Sequence, residues 1–353
     1  MSESEKYTLE TLHFYLYSIS TPIVCCIGFL GNILNIVVFT KKKKSTGGMD
    51  DMENCSTVVL LALAASDMLF CLTVFPVVFQ DPRKKSYQHT DFMLFYNLYS
   101  NTIISVFILS STLLTVLVAV MRFLAICHPF RARRVITVKR SVLAIGILFL
   151  FSVAFNLPSL WQRKTIHCMH NYVKIINNDS ADDSFMYIQK ILWAIVGNFI
   201  PLLILFFCNI HLIRAIRSSE HLQQAHHCSE PTRSSSHRRI NIAMIAIITC
   251  FFILVAPSEF TKFIALLGNN NRFVFFLVSY VTNTLQCVNF SINFVLYYII
   301  IAPFRKILRD IMCTFPSSRG RKKGPPQLLV EVSTKERHHL FLLYSLKEIR
   351  HLK

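Results

Sequence analysis

Long apolar stretches alternate with short polar ones along most of the chain. Seven of them are long enough to cross a bilayer, because about 20 apolar residues span its hydrocarbon core. They occupy approximately residues 15–40, 56–80, 96–126, 140–161, 190–215, 239–267 and 273–302. Strand-like alternation of apolar and polar residues is missing from these stretches, which disfavours a membrane β-barrel. The pattern predicts an all-α fold, a bundle of seven transmembrane helices.

The pattern changes after the seventh stretch. Apolar residues at 304, 307, 308, 311 and 312 fall on one face of a helix, which predicts a short amphipathic helix on the inner membrane surface over 303–313. The residues that follow, 314–353, are largely rich in Ser, Gly, Pro and Lys and are expected to form a disordered cytoplasmic tail. The predicted organisation is completed by an extracellular N-tail over 1–14 and a seven-helix domain over 15–302.

Composition and charge agree with a membrane protein. The 353 residues are 53% hydrophobic and only 16% charged, with a formal net charge of +18. In a soluble protein this charge would suggest nucleic-acid binding, but here 26 of the 37 Lys and Arg residues fall in the loops and tail on one side of the predicted bundle. Since positive flanking residues stay cytoplasmic, we predict an outside N-terminus, contacts with membrane lipids and no nucleic-acid partner.

Polar side chains inside the apolar stretches mark candidate functional sites, because they are costly to bury in lipid. Isolated Asn and Ser residues are expected mainly to hydrogen-bond between helices. Asp67, midway along the second stretch, instead needs a cation, a proton or a shell of donors. Arg122 ends the third stretch, where it either extends to the inner surface or has a specific function. Paired carboxylates and nucleophile–base sets do not occur, so enzymatic activity is not predicted.

Motifs in order along the chain resemble those of rhodopsin-like (class A) G-protein-coupled receptors over residues 15–313. They are GFLGNILN with Asn32, LALAASD with Asp67, MRFLAICHPF with Arg122, Pro158, Pro201, FFILVAP with Pro257, NFVLY from Asn293 to Tyr297, and FRKIL. Softer signals resemble the invertebrate FMRFamide-type neuropeptide receptors, namely FNLPSLW, Asn209 and VNFSINFVLY. The resemblance implies a multi-pass plasma-membrane receptor with an extracellular peptide ligand, expected to be amidated, and a heterotrimeric G protein as partners.

The resemblance also implies three groups of site residues. The G-protein coupling group at the inner helix ends consists of Arg122, Phe123, Asn209 and Tyr297. The polar cluster that would hold sodium and water consists of Asp67, Ser111, Asn289 and Asn293. The outer ligand-binding group consists of Trp193, Glu259, Lys262, Asn283 and Gln286. A sodium ion at Asp67 is the one metal or cofactor that these residues suggest.

Glu259 is the main ligand-binding candidate, because an Arg-Phe-amide peptide would bring a cation to its carboxylate. The competing interpretation is an ion pair with Lys262, one helical turn away. Sequence alone leaves both open.

Two modifications are also predicted. The sequon at Asn178 lies in the second outer loop and indicates N-glycosylation, and Cys313 at the end of the surface helix is either palmitoylated or an unmodified thiol.

Two departures from the family pattern concern Arg122. The acid that normally precedes this arginine is Met121 here, and the acid expected at the inner end of the sixth helix falls at His237. Loss of contacts that hold the resting state shifts a two-state population towards the active form. The sequence therefore predicts raised basal signalling, which Met121→Asp would lower.

Other departures leave rival functions open. The outer disulfide of the family needs a cysteine where this chain has Asn97, so Cys168 is free or pairs between chains, and the tryptophan of the sixth helix is Val255. These losses suggest a seven-helix protein that traffics or scaffolds without coupling to G proteins. A transporter is a further alternative, disfavoured by the lack of an internal repeat.

Overall fold

The computed structural model describes residues 2–45, 51–79, 86–88, 90–167, 172–177, 183–226, 242, 245–258, 260–261 and 271–317. Its main helices are α1 (3–45), α2 (51–79), α3 (Phe92–Cys127), α4 (138–162), α5 (183–226), α6 (Ile245–Ser258), α7 (Arg272–Ile300) and α8 (Ala302–Ser317). A short helix, Pro129–Val135, connects α3 to α4. The helices α1 to α5 and α7 are long and apolar enough to cross a membrane, and α6 is a shorter apolar helix. The predicted seven-helix transmembrane bundle is confirmed.

Several helices extend beyond the apolar stretches. Residues Glu3–His13, placed in the predicted N-tail, are helical and run into the first span. A capping box begins this helix, because the Ser2 hydroxyl accepts from the Glu5 backbone N–H at 3.2 Å while the Glu5 carboxylate accepts from the Ser2 N–H at 2.7 Å. The surface helix α8 likewise continues to Ser317, past the predicted end at 313.

Prolines mark the places where regular α-geometry is interrupted. In α5 a π-helical turn, Trp193–Phe199, stands just before Pro201. Proline has no N–H to donate and its ring crowds the carbonyl four residues back, so a local change of helix geometry relieves the conflict. In α4 the last turn, Leu157–Gln162, is a 3-10 helix that contains Pro158. Both prolines lie where the family motifs predicted them.

A small antiparallel sheet, which was not predicted, lies in connections on the side of the bundle that is predicted to be extracellular and is called outer here. Its strands are β1 (Tyr87–Gln88), β2 (Arg163–His167) and β3 (Tyr172–Asn177), in the order β1-β3-β2. Val173 of the central strand pairs with residues of both neighbours and is fully buried. The strands are short, and Val173 packs with Tyr87 and with Leu94 of α3 in a small apolar cluster that joins the sheet to α3.

Close packing of α1 against α2 and α7 depends on a glycine. A Cβ added at Gly28 would meet the sulfur of Cys71 at 2.8 Å and come closer still to the hydroxyl of Ser291. Nearby, the Asn32 amide donates to the carbonyls of Gly28 and Phe290, at 2.9 Å in both cases. Asn32 therefore ties α1 to α7 by interhelical hydrogen bonding, the role expected for isolated Asn residues.

The turn from α7 into α8 is fixed by polar and aromatic contacts. The Arg305 guanidinium donates to the carbonyl of Tyr298 at 2.9 Å and also to that of Ile299, which satisfies carbonyls that the end of α7 leaves unpaired. Phe304 is buried, with its ring centroid 5.8 Å from that of Phe39 in α1. This contact places the first turn of α8 beside the inner ends of α1 and α7.

Candidate functional site

The middle of the bundle contains a buried carboxylate held by three helices. Asp67 of α2 is completely buried. Its Oδ1 accepts a hydrogen bond from the Ser111 hydroxyl of α3 at 2.6 Å, and its Oδ2 accepts one from the Asn293 amide of α7 at 2.7 Å. Asn289 is buried one turn before Asn293. Because an ionised carboxylate offers about four acceptor sites, these two bonds leave capacity for a cation or water.

A large cavity opens in the outer half of the bundle, with a volume of about 650 Å³. This is within the usual range for ligand pockets, about 300–1,000 Å³. Its apolar wall is formed by residues of α2 and α3 that pack with one another: Phe70, Val74, Val77, Ile104 and Ile108. Its lining also includes Trp193, Asn283 and Gln286. The structure therefore brings together three of the residues predicted to bind ligand.

The side chains of Trp193 and Asn283 are held by hydrogen bonds to other residues. The Trp193 indole donates to the Asn156 side chain at 3.0 Å, so this N–H is engaged while the ring lines the cavity. Asn283 accepts from the Ser258 hydroxyl and donates to the Tyr17 hydroxyl, each at 3.0 Å. Asn283 thereby connects α7 to both α6 and α1. The two remaining candidates, Glu259 and Lys262, lie outside the described residues.

The polar cavity lining includes residues that the sequence did not single out. Arg163 of β2 and Lys190 of α5 bring two positive charges, and no carboxylate is present among the described lining residues. Gln189 is buried and donates to Ser159 at 3.2 Å, but its Oε1 has no partner in the described part of the chain. The described lining is therefore cationic.

The cavity floor and the carboxylate cluster are adjacent along two helices. Phe70 and Ile108 line the cavity, and Asp67 and Ser111 each lie one turn deeper on the same helices. A displacement of either wall residue would therefore act on the Ser111–Asp67 hydrogen bond through less than two turns of rigid helix. The arrangement can transmit a change in the cavity to the middle of the bundle.

The inner end of the bundle contains Arg122, which is only 9% exposed. Among the described residues, its Nε has no hydrogen-bond partner, and Met121 beside it is buried and neutral. Glu53 of α2 and Tyr297 of α7 are within electrostatic range of the guanidinium. Tyr297 is itself buried, with its ring 5.2 Å from that of Phe39.

A small cavity joins Arg122 to an ion pair between α1 and α2. Lys42 Nζ lies 2.6 Å from Glu53 Oε1, and the two side chains are 21% and 24% exposed. All three charged residues line the same cavity of about 20 Å³. Sequence reasoning missed this arrangement. The available signal was the acidic run of Asp50, Asp51 and Glu53, which follows the four lysines Lys41–Lys44 closely in the sequence.

The other predicted coupling residues lie in helix contacts. Phe123 packs edge-on against Phe207 and His211 of α5, with ring centroids 5.6 Å apart in both pairs. The Asn209 amide donates to the Thr249 hydroxyl of α6 at 3.4 Å, and its Oδ1 is buried without a partner in the described part of the chain. The structure thus places Phe123 and Asn209 where α3, α5 and α6 meet, away from the Arg122 cavity.

Asn97 occupies the position that a disulfide cysteine would have in the family, and it makes hydrogen bonds instead. Its side-chain amide donates to the Tyr87 hydroxyl of β1 at 3.0 Å, and its backbone carbonyl accepts from the Arg163 guanidinium of β2. Non-covalent bonds therefore connect the top of α3 to the outer sheet. Cys168, the other half of that family disulfide, lies outside the described residues.

The predicted modification sites are only partly within the described chain. Cys313 is exposed on α8, as attachment of a fatty acid requires. Asn178 lies outside the described residues, and so does His237. Groups of three or more His, Cys, Asp or Glu side chains suited to a metal ion are not found in the described ranges.

Comparison with known proteins identifies relatives for most of the chain. The family model of the 7 transmembrane receptor (rhodopsin family) matches residues 31–297. The FMRFamide receptor of Drosophila melanogaster is 24% identical over 323 residues, which cover 84% of this chain and 53% of that protein. This chain therefore spans about half the length of the fly receptor. The cysteinyl leukotriene receptor 2 of Mus musculus is 27% identical (86% and 93% covered), and the neuromedin-U receptor 2 of Rattus norvegicus is 22% identical (88% and 79% covered).

Proposed function

This chain belongs to the rhodopsin family of seven-transmembrane receptors, and we propose that it converts the binding of an extracellular amidated neuropeptide into activation of a heterotrimeric G protein. One observation carries the proposal, namely that the outer cavity and Arg122 are linked through α3. Ile108 at the cavity floor, Ser111 at the carboxylate and Arg122 at the inner end follow one another on this helix. At 1.5 Å per residue, the first and last are about 21 Å apart.

In this mechanism the ligand acts by preferring one arrangement of the helices. A ligand shifts a conformational equilibrium only by the difference between its affinities for the two states. Contact with the wall formed by Phe70 and Ile108 would move α2 against α3 and repack the hydrogen bonds of Asp67. A sodium ion at Asp67, coordinated by carboxylate and hydroxyl oxygens, would favour the arrangement in which these bonds are intact.

The amidated peptide is favoured by two relatives, which are named as receptors for FMRFamide and for neuromedin U. The cavity volume of about 650 Å³ accommodates the end of a peptide, and its aromatic and amide lining suits a Phe-amide group. Trp193, Asn283 and Gln286 would contact this end. Glu259 and Lys262 remain candidates for the peptide's charged groups, together with the alternative that they pair with each other.

An acidic ligand is a second candidate, favoured by the cationic lining at Arg163 and Lys190. Another relative is named as a receptor for cysteinyl leukotrienes, and such anionic lipids would match this lining. The two candidates differ in one measurable respect. Lys190→Ala should weaken the response to an acidic ligand at least several-fold and leave the response to a basic amidated peptide nearly unchanged.

The proposed membrane location and orientation follow from the distribution of Lys and Arg residues along the chain. The bundle is a multi-pass membrane protein, and we propose that it resides in the plasma membrane with its N-terminus outside, since 26 of its 37 basic residues then face the cytoplasm. The basic inner loops would contact anionic lipids and the G protein. Palmitate at Cys313 and glycan at Asn178 would lie on the inner and outer sides, respectively.

A ligand screen tests the proposal. Cells that express the chain would be exposed to a panel of amidated neuropeptides and cysteinyl leukotrienes, with intracellular calcium and cyclic AMP as readouts. We expect at least one amidated peptide to give a saturable response that Arg122→Ala removes at equal surface expression. A response to leukotrienes alone would replace the peptide with the second candidate. A response that survives Arg122→Ala would contradict coupling through the inner end of α3.

A further inference from the structure

Arg122 is a buried cation in a chain that lacks both of the acids normally expected to accompany it. An ion buried without a counter-charge is strongly disfavoured. Its neighbour Met121 contributes no charge, and the guanidinium Nε has no partner in the described part of the chain. The bundle must therefore compensate this charge from another helix.

The inner cavity identifies the compensating group. Glu53, Arg122 and Lys42 line it together, so that one carboxylate faces two cations from two different helices. The cavity volume of about 20 Å³ is enough for one water molecule, because about 10–15 Å³ is the minimum. A water-mediated contact between Glu53 and Arg122 is therefore sterically allowed, while Lys42 contacts the same carboxylate directly at 2.6 Å.

We propose that Glu53 is the positioning residue that holds Arg122 in the resting arrangement, and that Lys42 competes with Arg122 for its carboxylate. The restraint thus links α3 to α2 and α1 rather than to α6. This role of Glu53 rests on the proposed function, since the position of Arg122 matters only if Arg122 couples to a G protein. It also refines the expectation of raised basal signalling, because Lys42 weakens a restraint that Glu53 would otherwise provide in full.

The competing explanation is that Glu53 only joins α1 to α2 through Lys42. The two explanations predict opposite signs for one substitution. If Glu53 restrains Arg122, removing the charge of Lys42 frees the carboxylate for Arg122 and lowers basal activity. If the Lys42–Glu53 pair is merely structural, removing either partner has the same effect.

The test measures ligand-independent activation of Gs, Gi, Gq and G12 proteins by bioluminescence resonance energy transfer in intact cells, normalised to surface receptor. We expect Glu53→Gln to raise basal activity about two- to fivefold and Lys42→Gln to lower it by a similar factor, as befits an ion pair that is partly exposed. The double variant Lys42→Gln with Glu53→Gln should be as active as Glu53→Gln alone, because Lys42→Gln can act on Arg122 only through the Glu53 carboxylate.

The controls separate the possible failures. Glu3→Gln removes the acid of an exposed Glu3–Lys6 pair, also 2.6 Å long, at the outer end of α1, and should change nothing. Wild-type basal activity in the double variant, or a rise with Lys42→Gln, would overturn the role of Glu53 while leaving coupling intact. If no G protein responds to wild-type or variant receptor without ligand, this inference falls, whereas the proposed function is decided separately by the ligand screen. Should Glu53→Gln not reach the surface, the sign of the Lys42→Gln effect decides.

Discussion

The hydrogen bond from Asn293 to Asp67 gives a prediction with a calculable size. In Asn293→Ala the buried Asp67 loses one of its two described donors, the amide at 2.7 Å. A hydrogen bond to a charged group contributes about 1.5–3 kcal/mol, so we expect the free energy of unfolding to fall by about 2 kcal/mol. Asn289→Ala is the matched control. Asn289 is also an asparagine of α7 and is about as buried as Asn293, but among the described residues it makes no hydrogen bond to Asp67.

The control substitution should cost less. Interhelical polar contacts in membranes contribute about 0.6 kcal/mol on average, so the two variants should differ by about 1.4 kcal/mol. At about 2.1 cal/mol/K per residue, a domain of about 290 residues has an unfolding entropy of about 0.6 kcal/mol/K, so the difference corresponds to an apparent Tm lower by about 2 °C for Asn293→Ala. Buried thiols at Cys25, Cys71 and Cys287 allow the measurement, since a thiol-reactive dye reports their exposure as receptor purified in nanodiscs unfolds. Equal Tm values for the two variants would refute the proposed energetic role of this bond.

Three further predictions concern packing, basal activity and sodium. Gly28→Ala should reduce surface expression at least several-fold, because its Cβ would clash with Ser291. Gly146→Ala is the control, since its Cβ meets nothing within 4 Å, and it should leave surface expression unchanged or slightly raised. Equal effects of the two substitutions would contradict the close packing of α1. Met121→Asp should lower ligand-independent G-protein activation about two- to fivefold, because it supplies a counter-charge to Arg122. An unchanged level would show that Arg122 is already fully restrained. Replacing potassium by sodium in the buffer should raise the apparent Tm of wild type by a few degrees, because a ligand that binds the folded state stabilises it. Asp67→Asn should abolish this difference. A sodium effect that persists in Asp67→Asn would place the ion elsewhere.

Periodicity and family motifs predicted the bundle well, for physical reasons. A span of about 20 apolar residues has few alternatives in a bilayer, so the number and order of the helices could be derived from the sequence. Asp67 was equally conspicuous, because a carboxylate at mid-depth requires donors. The structure supplies two of these donors from the predicted residues Ser111 and Asn293.

Contacts between residues that are far apart in the sequence could not be predicted. Glu53 is separated from Arg122 by most of two helices, and only the packing of α2 against α3 brings both to one cavity. Phe123 and Asn209 were predicted from their motif positions as coupling residues, but which neighbours they face depends on the rotation of α3 and α5. The outer sheet was missed because its strands are only 2, 5 and 6 residues long and the apolar cluster of Tyr87, Leu94 and Val173 joins segments far apart in the sequence.

Ligand-free G-protein activation by wild type and Arg122→Ala tests the central claim most directly. Both receptors would be assayed at equal surface density against the four G-protein classes, with Arg272→Ala, an exposed arginine at the outer start of α7, as the control for the same substitution. We predict measurable basal activation by wild type and Arg272→Ala and its loss in Arg122→Ala. Equal activation by all three receptors would contradict a receptor that signals through the inner end of α3, and none by any of them would contradict the predicted raised basal activity.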